Sequence, residues 1–359
     1  MGAAREWNMR RWIKRLLLGG LVAALVLAAG AGLYLYSLDL GSQPPADPRS
    51  RVADLAFLRD APPPARGRIL AVVSSAGVFP GTEKRAGFEL TELARAYYTF
   101  IANGYEVDIA SPLGGPPPMR VDDEDMGVAD HAFLNDAQAR ARLAASLPLE
   151  QVDATRYAAV YFVGGKGAMF DFPGNAAIAR LVRHVHGAGG VIGAVCHGPA
   201  ALLEVTLDDG TPLLRGRRVT GFSNAEELFL MKDARQRFDT LLQDALAQRG
   251  ARFVEGGLYL DNTVVDGRLV TGQNPWSTWS VAEAMVRALG HVPAPREATG
   301  EEQAVRVMEA YRRGGITAAR EVRRSLPGAD KRLLLMHALV AAMQQRWRDA
   351  WHLQRLAHG

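Results

Sequence analysis

The chain contains one cysteine, Cys196, and its place in the sequence is the first indication of chemistry. An apolar run, VIGAVC (191–196), leads into it, and His197, Gly198 and Pro199 follow. A strand that turns tightly into a helix presents a nucleophile at the carboxyl edge of a sheet, with backbone N–H groups aimed toward it. A lone cysteine excludes an internal disulfide and a thiolate metal cluster, so it is either a small buried apolar residue or a nucleophile. Its position on the turn favours a nucleophile with an exposed sulfur.

The same turn predicts how the thiol ionises. A helix N-terminus stabilises a thiolate, and so does a histidine beside it. We therefore predict that the pKa of Cys196 lies below about 8.5, the value of a free thiol. The residue should then be the site of alkylation in this chain.

Apolar segments alternate with helical segments on both sides of the turn. This alternation predicts an α/β fold with a parallel sheet covered on both faces, whose carboxyl edge collects ligands. Residues 112–130 are expected to form a loop. The predicted strands are 68–75, 105–111, 158–165, 191–196, 217–222, 251–255 and a hairpin pair over 258–272, and the predicted helices are 87–103, 174–188, one from about Pro199, 225–231, 238–249 and 276–289.

The N-terminal region predicts a membrane anchor and a linker. Residues 1–15 form a basic flank of net charge +4, and residues 16–36 are twenty-one residues without a charge. Such a helix spans the hydrocarbon core of about 30 Å. A cleaved signal peptide is the alternative, but the apolar run continues past its weak cleavage candidates. The proline-rich composition of residues 37–67 predicts a semi-rigid linker.

The basic flank also predicts the topology of the chain. Positively charged flanks stay in the cytoplasm, so the N-terminus should be cytoplasmic. We expect a single-pass protein of the inner (plasma) membrane. Its catalytic domain then lies on the periplasmic or extracytoplasmic side.

Residues 293–359 are predicted to form a helical appendage. Thr299 and Glu302 form a capping box that opens a short helix, and further helices are expected at 316–325 and 329–357. A helical lid or packing element is the simpler interpretation of the appendage. Its basic bias leaves contact with anionic lipid headgroups as the alternative.

The distribution of charge argues against nucleic acid as a partner. Residues 291–359 carry a net charge of +5, whereas residues 16–290 carry −5. The main body of the chain therefore offers no basic stripe for phosphates.

Six motifs occur in order between residues 68 and 290, and together they resemble the ThiJ/PfpI family of the class I glutamine amidotransferase-like superfamily. Within it, the chain is most similar to the branch of heat-shock chaperones and glyoxalase III enzymes. The resemblance implies a flavodoxin-like, doubly wound parallel sheet with a nucleophile-elbow cysteine over residues 68–292. The motifs are AGFELTEL (86–93), GYEVDIASPLGG (104–115), VGGKGAMFDF (163–172), AVCHGPAALL (194–203), VTGFSNAEE (219–227) and DGRLVTGQNPWS (266–277).

The resemblance also implies the catalytic residues. Cys196 matches the nucleophile of the family, and His197 matches the histidine of its elbow. Glu92 matches the glutamate that hydrogen-bonds the thiol. Glu227 matches the acid that orients the histidine.

Two neighbouring glutamates compete with these assignments. The alternative for Glu92 is a place on a solvated helix face, and Glu89, three residues earlier on the same side, is the glutamate most easily confused with it. Glu226 adjoins Glu227, and the sequence favours Glu227 by a narrow margin.

One loop departs from the family pattern. The usual Gly-His-Gly, whose histidine binds metal in some members, is Gly165–Lys166–Gly167 here. A lysine is a poor zinc ligand, so we predict no catalytic metal. The Gly165 and His197 N–H groups are assigned to an oxyanion, and Lys166 is either a positive charge near the substrate or a solvated loop residue.

The implied activity is that of a glyoxalase III, a lyase of the D-lactate dehydratase type. It converts a 2-oxoaldehyde such as methylglyoxal to a 2-hydroxy acid without glutathione, and it requires no organic cofactor. A cysteine peptidase or amidase is the second interpretation; a glutaminase is disfavoured because no His-x-Glu follows His197. The third is a holdase chaperone or oxidative-stress sensor. The chain is compatible with assembly as a homodimer.

Overall fold

A seven-stranded sheet lies at the centre of the larger part of the molecule. In the computed structural model, which describes residues 2–122 and 125–358, its strand order is β10-β11-β7-β6-β1-β3-β5. Every neighbouring pair is parallel except the hairpin of β10 and β11. The strands of this sheet are β1 (Arg68–Val72), β3 (Glu106–Ser111), β5 (Leu147–Pro148), β6 (Tyr157–Phe162), β7 (Val191–Val195), β10 (Thr263–Asp266) and β11 (Leu269–Gly272), and the short pairs outside it are β2 (Phe88–Glu89) with β4 (Met119–Arg120) and β8 (Arg218–Val219) with β9 (Arg252–Phe253).

Helices cover the sheet because its inner strands are apolar on both sides. All five residues of β7 are buried, as a strand between two helical layers requires. Helix α2 packs against α10, α10 packs against β7, and α6 packs against β6 and β7. The predicted flavodoxin-like α/β fold is confirmed. The helices are α1 (Gly2–Ser37), α2 (Leu90–Ala102), α3 (Val128–Asn135), α4 (Ala137–Ala144), α5 (Ala168–Asp171), α6 (Ala176–Gly187), α7 (Asn224–Leu230), α8 (Ala234–Arg237), α9 (Leu242–Gln248), α10 (Thr278–Ala288), α11 (Gly300–Ser325), α12 (Lys331–Met343) and α13 (Trp347–His358).

Around the sheet, two predicted elements differ in type from the structure. The segment 112–130, expected to be a loop, contains β4 and the first turn of α3. The helix expected from Pro199 is only a 3-10 helix of five residues, Gly198–Leu202. A thiol on this turn therefore gains little from a helix dipole, which needs several aligned peptide units.

The chain divides into two compact units. One is Pro45–Ala298, which contains the sheet, and the other joins Met1–Pro44 to Thr299–Gly359. The segment expected to be a linker, 37–67, is thus shared between the two units.

The second half of that segment packs against the sheet unit. Leu55 is buried, and the ring of Phe57 lies edge-on to Trp279 at 6.0 Å. The side-chain amide of Asn135 donates hydrogen bonds to the carbonyl oxygens of Pro48 and Ser50, at 2.8 and 2.9 Å. Apolar side chains within a proline-rich segment explain why it is held in place rather than free.

The other unit consists of α1 and the three C-terminal helices. Within the described residues, one helix is long and apolar enough to cross a bilayer, over Lys14–Tyr34, two residues earlier than the predicted span. Helix α11 runs through both predicted helices with a kink at Gly315, where φ is 70°. The single long helix predicted over 329–357 is wrong. A turn with Gln345 at a φ of 60° separates α12 from α13, and the two helices pack against each other as a hairpin.

Candidate active site

Cys196 stands on a sharp turn at the end of β7. Its φ is 57°, a left-handed conformation that costs energy for a residue with a side chain. Its N–H donates to Gly272 O at 2.9 Å and its carbonyl accepts from the N–H of Phe222 at 2.8 Å, so neighbouring backbone holds the turn. A Cβ on Gly198 would lie 2.2 Å from the carbonyl oxygen of Phe162. The structure therefore has the predicted nucleophile elbow.

The sulfur is less accessible than the sequence suggests. Cys196 is only 5% exposed, whereas we expected a sulfur open to ligands. The side chain of Glu92 and the backbone of Gly164 lie against it. A Cβ on Gly164 would sit 2.5 Å from Glu92 Oε2 and 2.7 Å from Cys196 Cβ, so only glycine fits between them.

A chain of polar contacts links the cysteine to a carboxylate. Cys196 Sγ lies 3.3 Å from His197 Nδ1, and His197 Nε2 lies 2.6 Å from Glu227 Oε2. Burial raises the pKa of Glu227, but the charge and hydrogen bond of His197 outweigh it and the net pKa is lowered. An ionised Glu227 holds the imidazole proton on Nε2. His197 Nδ1 is then free to accept the thiol proton.

Glu226, the rival of Glu227, has a different role. It is fully buried. Its carboxylate accepts hydrogen bonds from Ser223, from the N–H of Tyr259, and from the side chains of Gln273 and Asn274. Glu226 therefore ties the start of α7 to the loop after β11. The capping box formed with Ser223 is a sequence signal that could have separated the two glutamates.

Glu92 lies in the first turn of α2 and is completely buried. Its Oε2 accepts the N–H of Gly164 at 2.7 Å. Burial, together with the charge of Glu89, raises the pKa of Glu92 well above its ordinary value. Burial therefore favours the protonated form of Glu92, which has a proton that it can donate.

The predicted lowering of the cysteine pKa is wrong. Burial and the neighbouring Glu92 raise the pKa of the Cys196 thiol well above its ordinary value, and backbone hydrogen bonding by Gly165 opposes this only in part. Loss of water outweighs the short 3-10 turn that follows the cysteine. The resting site holds a thiol, and His197 Nδ1 is the acceptor in contact with it.

Glu89 lies half-buried at the N-cap of α2. One of its oxygens, Oε1, is buried and has no hydrogen-bond partner among the described residues. Burial raises its pKa to about 7, although the charges of Arg120 and Lys166 act in the opposite direction. Glu89 thus adds a second high-pKa carboxyl beside Glu92.

Gly165 and Lys166 lie on the loop that faces the cysteine. Gly165 has a φ of 92°, and a Cβ there would lie 2.5 Å from the carbonyl oxygen of Gly87. A glycine at this position lets its N–H approach the sulfur. Lys166 is half-buried, and its positive charge lowers the pKa of both Glu89 and Glu227.

An aromatic wall that sequence reasoning missed covers His197. The imidazole lies 4.8 Å from the ring of Phe222 and 6.2 Å from that of Phe238. Phe79 and Phe170 pack on Phe238 at 5.4 and 5.6 Å. These residues are distant in the chain and follow no common pattern, so only the fold brings them together. They keep water from the imidazole.

Comparison with known proteins identifies the family. The sequence pattern of the DJ-1/PfpI family matches residues 84–288, more than half of the chain. The chain belongs to this family. Helices α1 and α11–α13 lie outside the matched residues.

Relatives of this DJ-1/PfpI protein include named enzymes. Glutathione-independent glyoxalase hsp3101 of Schizosaccharomyces pombe is 31% identical over 237 residues, which cover 62% of this chain and 96% of the relative. Glutathione-independent glyoxalase HSP31 of Saccharomyces cerevisiae is 31% identical over 229 residues, with 62% and 97% covered. The crystal structure of glyoxalase III from Candida albicans superposes with a TM-score of 0.57 at 28% identity and covers 62% of this chain and 97% of its own.

The donor set of this DJ-1/PfpI site does not suit a metal. Within residues 2–122 and 125–358, no three His, Cys, Asp or Glu side chains are arranged to hold an ion. The loop position that carries a metal-binding histidine in some members is Lys166, whose ammonium repels cations. The site has the parts for proton transfer and nucleophilic attack: a thiol, an oriented imidazole and a buried carboxyl group.

Proposed function

We propose that this protein is a glutathione-independent glyoxalase that converts a 2-oxoaldehyde such as methylglyoxal to a 2-hydroxy acid. The observation that carries the proposal is the series Cys196–His197–Glu227, with contacts of 3.3 and 2.6 Å, beside the buried carboxyl of Glu92. Relatives named as glyoxalases at about 30% identity support it.

The first step is attack of sulfur on the aldehyde carbon, C1. His197 Nδ1 removes the thiol proton as the S–C bond forms, and Glu227 stabilises the resulting imidazolium. The aldehyde oxygen becomes an oxyanion. The N–H of Gly165 faces the sulfur and is placed to stabilise that charge. The product of this step is a hemithioacetal.

The second step moves a proton from C1 to C2. Glu92 first gives its proton to the aldehyde oxygen and becomes a carboxylate. A carboxylate with a raised pKa is a strong base, so it can remove the C1 proton. The His197 imidazolium gives the former thiol proton to the C2 oxygen, which completes an enediol. Glu92 then returns its proton to C2 and takes back the proton of the C1 hydroxyl, which leaves a 2-hydroxy thioester on the sulfur and a protonated Glu92. Water then cleaves the thioester, which releases the 2-hydroxy acid and restores the thiol.

Burial of the sulfur favours this reaction over peptide hydrolysis. A nucleophile, a base and an orienting carboxylate also constitute the machinery of a cysteine hydrolase. Cys196 is only 5% exposed, however, so a small aldehyde can reach it more readily than an extended peptide.

The test is lactate formation from methylglyoxal by the full chain in detergent, without glutathione. We expect turnover with the natural chain and none with Cys196→Ser, because a serine hydroxyl is far less acidic than a thiol. A Cys196→Ser variant that still forms lactate would overturn the cysteine mechanism. Peptide cleavage without lactate formation would replace the proposal with the hydrolase.

We also propose that α1 anchors the protein in the inner (plasma) membrane, with the N-terminus cytoplasmic and the catalytic unit on the extracytoplasmic side. The apolar length of Lys14–Tyr34 and the basic residues before it support this topology. An alkaline phosphatase fusion after residue 60 should be active, and a green fluorescent protein fusion at that point should be dark. The reverse pattern would place the catalytic unit in the cytoplasm.

A further inference from the structure

The hairpin of α12 and α13 exposes four large apolar side chains. Leu339 and Met343 on α12 are 61% and 64% exposed, and Trp347 and Trp351 on α13 are 68% and 62% exposed. A spacing of four residues puts each pair on one face of its helix. Met343 is the last residue of α12 and Trp347 is the first residue of α13, so only a short turn separates the two pairs. We call these four side chains the apolar stripe.

The same hairpin is strongly basic. Residues 331–358 contain five lysines and arginines and a single acidic residue, Asp349. The Asp349 carboxylate already has two partners: it accepts a hydrogen bond from Tyr311 at 2.5 Å and forms an ion pair with Arg346 at 2.7 Å. Exposed tryptophans within a cationic helix are typical of a segment that lies in the interface of an anionic bilayer.

The base of the hairpin is tied to the end of α1. Lys331 Nζ donates to the carbonyl oxygen of Leu38 at 3.1 Å, and the side chain of Gln43 bonds both Ala329 O and the N–H of Lys331. The ring of Tyr34, at the end of the apolar span, lies 5.5 Å from that of His358. The thirteen residues of α12 extend about 20 Å from this contact. If α1 spans the bilayer, the base of the hairpin lies at its surface, and the apolar stripe is within about 20 Å of it.

We propose that the α12–α13 hairpin is a membrane-surface element: the apolar stripe inserts among the headgroups of the bilayer that α1 spans, and the basic residues bind anionic lipids. The proposal rests on the proposed anchor. A lipid surface suits the hairpin better than a protein partner because it matches three features at once: the tryptophans, the net positive charge and the contact with α1.

The experiment measures depth in the bilayer with a nitroxide on the full chain. Met343→Cys or Trp351→Cys is made in a Cys196→Ser background, labelled and reconstituted in vesicles that contain phosphatidylglycerol. We expect the label to be more accessible to molecular oxygen, which dissolves in the bilayer, than to a water-soluble nickel chelate. The label should then lie at a depth of about 5–10 Å in the bilayer. Leu25→Cys reports on the anchor, and Arg313→Cys, which is 77% exposed in its side chain, is the control in solvent.

Each result decides between alternatives. If the label at position 25 lies in the bilayer but the labels at 343 and 351 are as accessible to the nickel chelate as the label at 313, the hairpin proposal is overturned and the anchor stands. If the label at 25 is also in water, the anchor fails and the hairpin proposal fails with it. Protection of 343 and 351 from both reagents would mean that protein, either a second copy or the catalytic unit, covers the stripe. In vesicles of phosphatidylcholine alone, easier access of the nickel chelate to the labels at 343 and 351 would support binding of the hairpin through charge. Unchanged access would refute it.

Discussion

Two buried protons govern how the candidate site is activated. Burial raises the pKa of both Cys196 and Glu92, which favours the protonated form of each group. The thiol proton can pass to His197, which Glu227 holds in the required tautomer. Activation therefore depends on proton transfer within the site rather than on a thiolate that exists beforehand.

The first prediction concerns Glu92→Gln. An amide keeps the shape of the side chain and its contact with Gly164, but it cannot give and retrieve a proton. We expect kcat for methylglyoxal to fall by about 10²–10⁴-fold, with an unchanged circular dichroism spectrum. Glu83→Gln, at an exposed position, is the matched control and should behave as the natural chain. Normal turnover by Glu92→Gln would remove Glu92 from the mechanism.

The second prediction concerns the pH dependence of alkylation at Cys196. A thiol whose pKa is raised in the fold is protonated below that pKa and reacts only as the pH rises through it. The iodoacetamide rate should therefore inflect above about 8.5, the pKa of a free thiol. Glu92→Gln should move the inflection to lower pH, because it removes the carboxyl group that, together with burial, raises the pKa of the thiol. An inflection well below that of a free thiol in the natural chain would show a preformed thiolate.

The third prediction separates two adjacent glutamates. Glu227→Gln should lower kcat and leave the melting temperature nearly unchanged, because it removes the partner of His197. Glu226→Gln should lower the free energy of unfolding by about 1–3 kcal/mol, because several buried donors lose a charged acceptor. Parallel measurement of kcat and urea denaturation distinguishes the two. An exchange of these effects would reverse the assignment.

At the scale of elements, the site depends on backbones that approach closely. The elbow after β7 and the loop after β6 contact each other at Gly164 and Gly198, where any Cβ would overlap a neighbour. Strand geometry brings these segments side by side because β6 and β7 are paired in parallel. Their carboxyl ends then meet at one edge of the sheet.

The fourth prediction concerns Gly198→Ala. The added Cβ would lie 2.2 Å from Phe162 O, so backbone must move. We expect a loss of about 1–3 kcal/mol in the free energy of unfolding and a loss of activity. Gly187→Ala, at the end of α6, meets no atom within 4 Å and should be neutral or slightly stabilising in urea denaturation. Equal stabilities of the two variants would contradict the close contact.

At the scale of the whole molecule, the catalytic residues belong to one unit. Every residue of the candidate site lies within Pro45–Ala298, and so does the family match. The N-terminal helix and the C-terminal helices form the other unit. This division predicts that the chemistry of the site is separable from the proposed membrane attachment.

The fifth prediction tests that separation. The fragment 45–298 should unfold cooperatively and retain glyoxalase activity. The shorter fragment 68–298 should be less stable because it lacks Leu55, which is buried, and Phe57, which packs on Trp279. Thermal unfolding followed by circular dichroism compares the two. Equal melting temperatures would show that residues 45–67 contribute nothing to the sheet unit.

Some features of this protein follow from local sequence. Apolar runs specify the strands, and the run that ends at Cys196 specifies the elbow, because strand formation and burial depend on neighbouring residues. The family motifs indicate the candidate catalytic residues, and the uncharged stretch 16–36 indicates the possible span. The structure has these strands near the predicted positions.

Other features were decided only when distant segments met. The sulfur is buried because α2 and the loop after β6 cover it, and the resulting loss of water reverses the predicted direction of the Cys196 pKa. Whether Glu226 or Glu227 contacts His197 depends on the direction in which each side chain leaves α7. The half-burial of Glu89 depends on strand β2, which pairs with β4 from another part of the chain. Desolvation and charge act through space, so neither can be read from neighbours in the sequence.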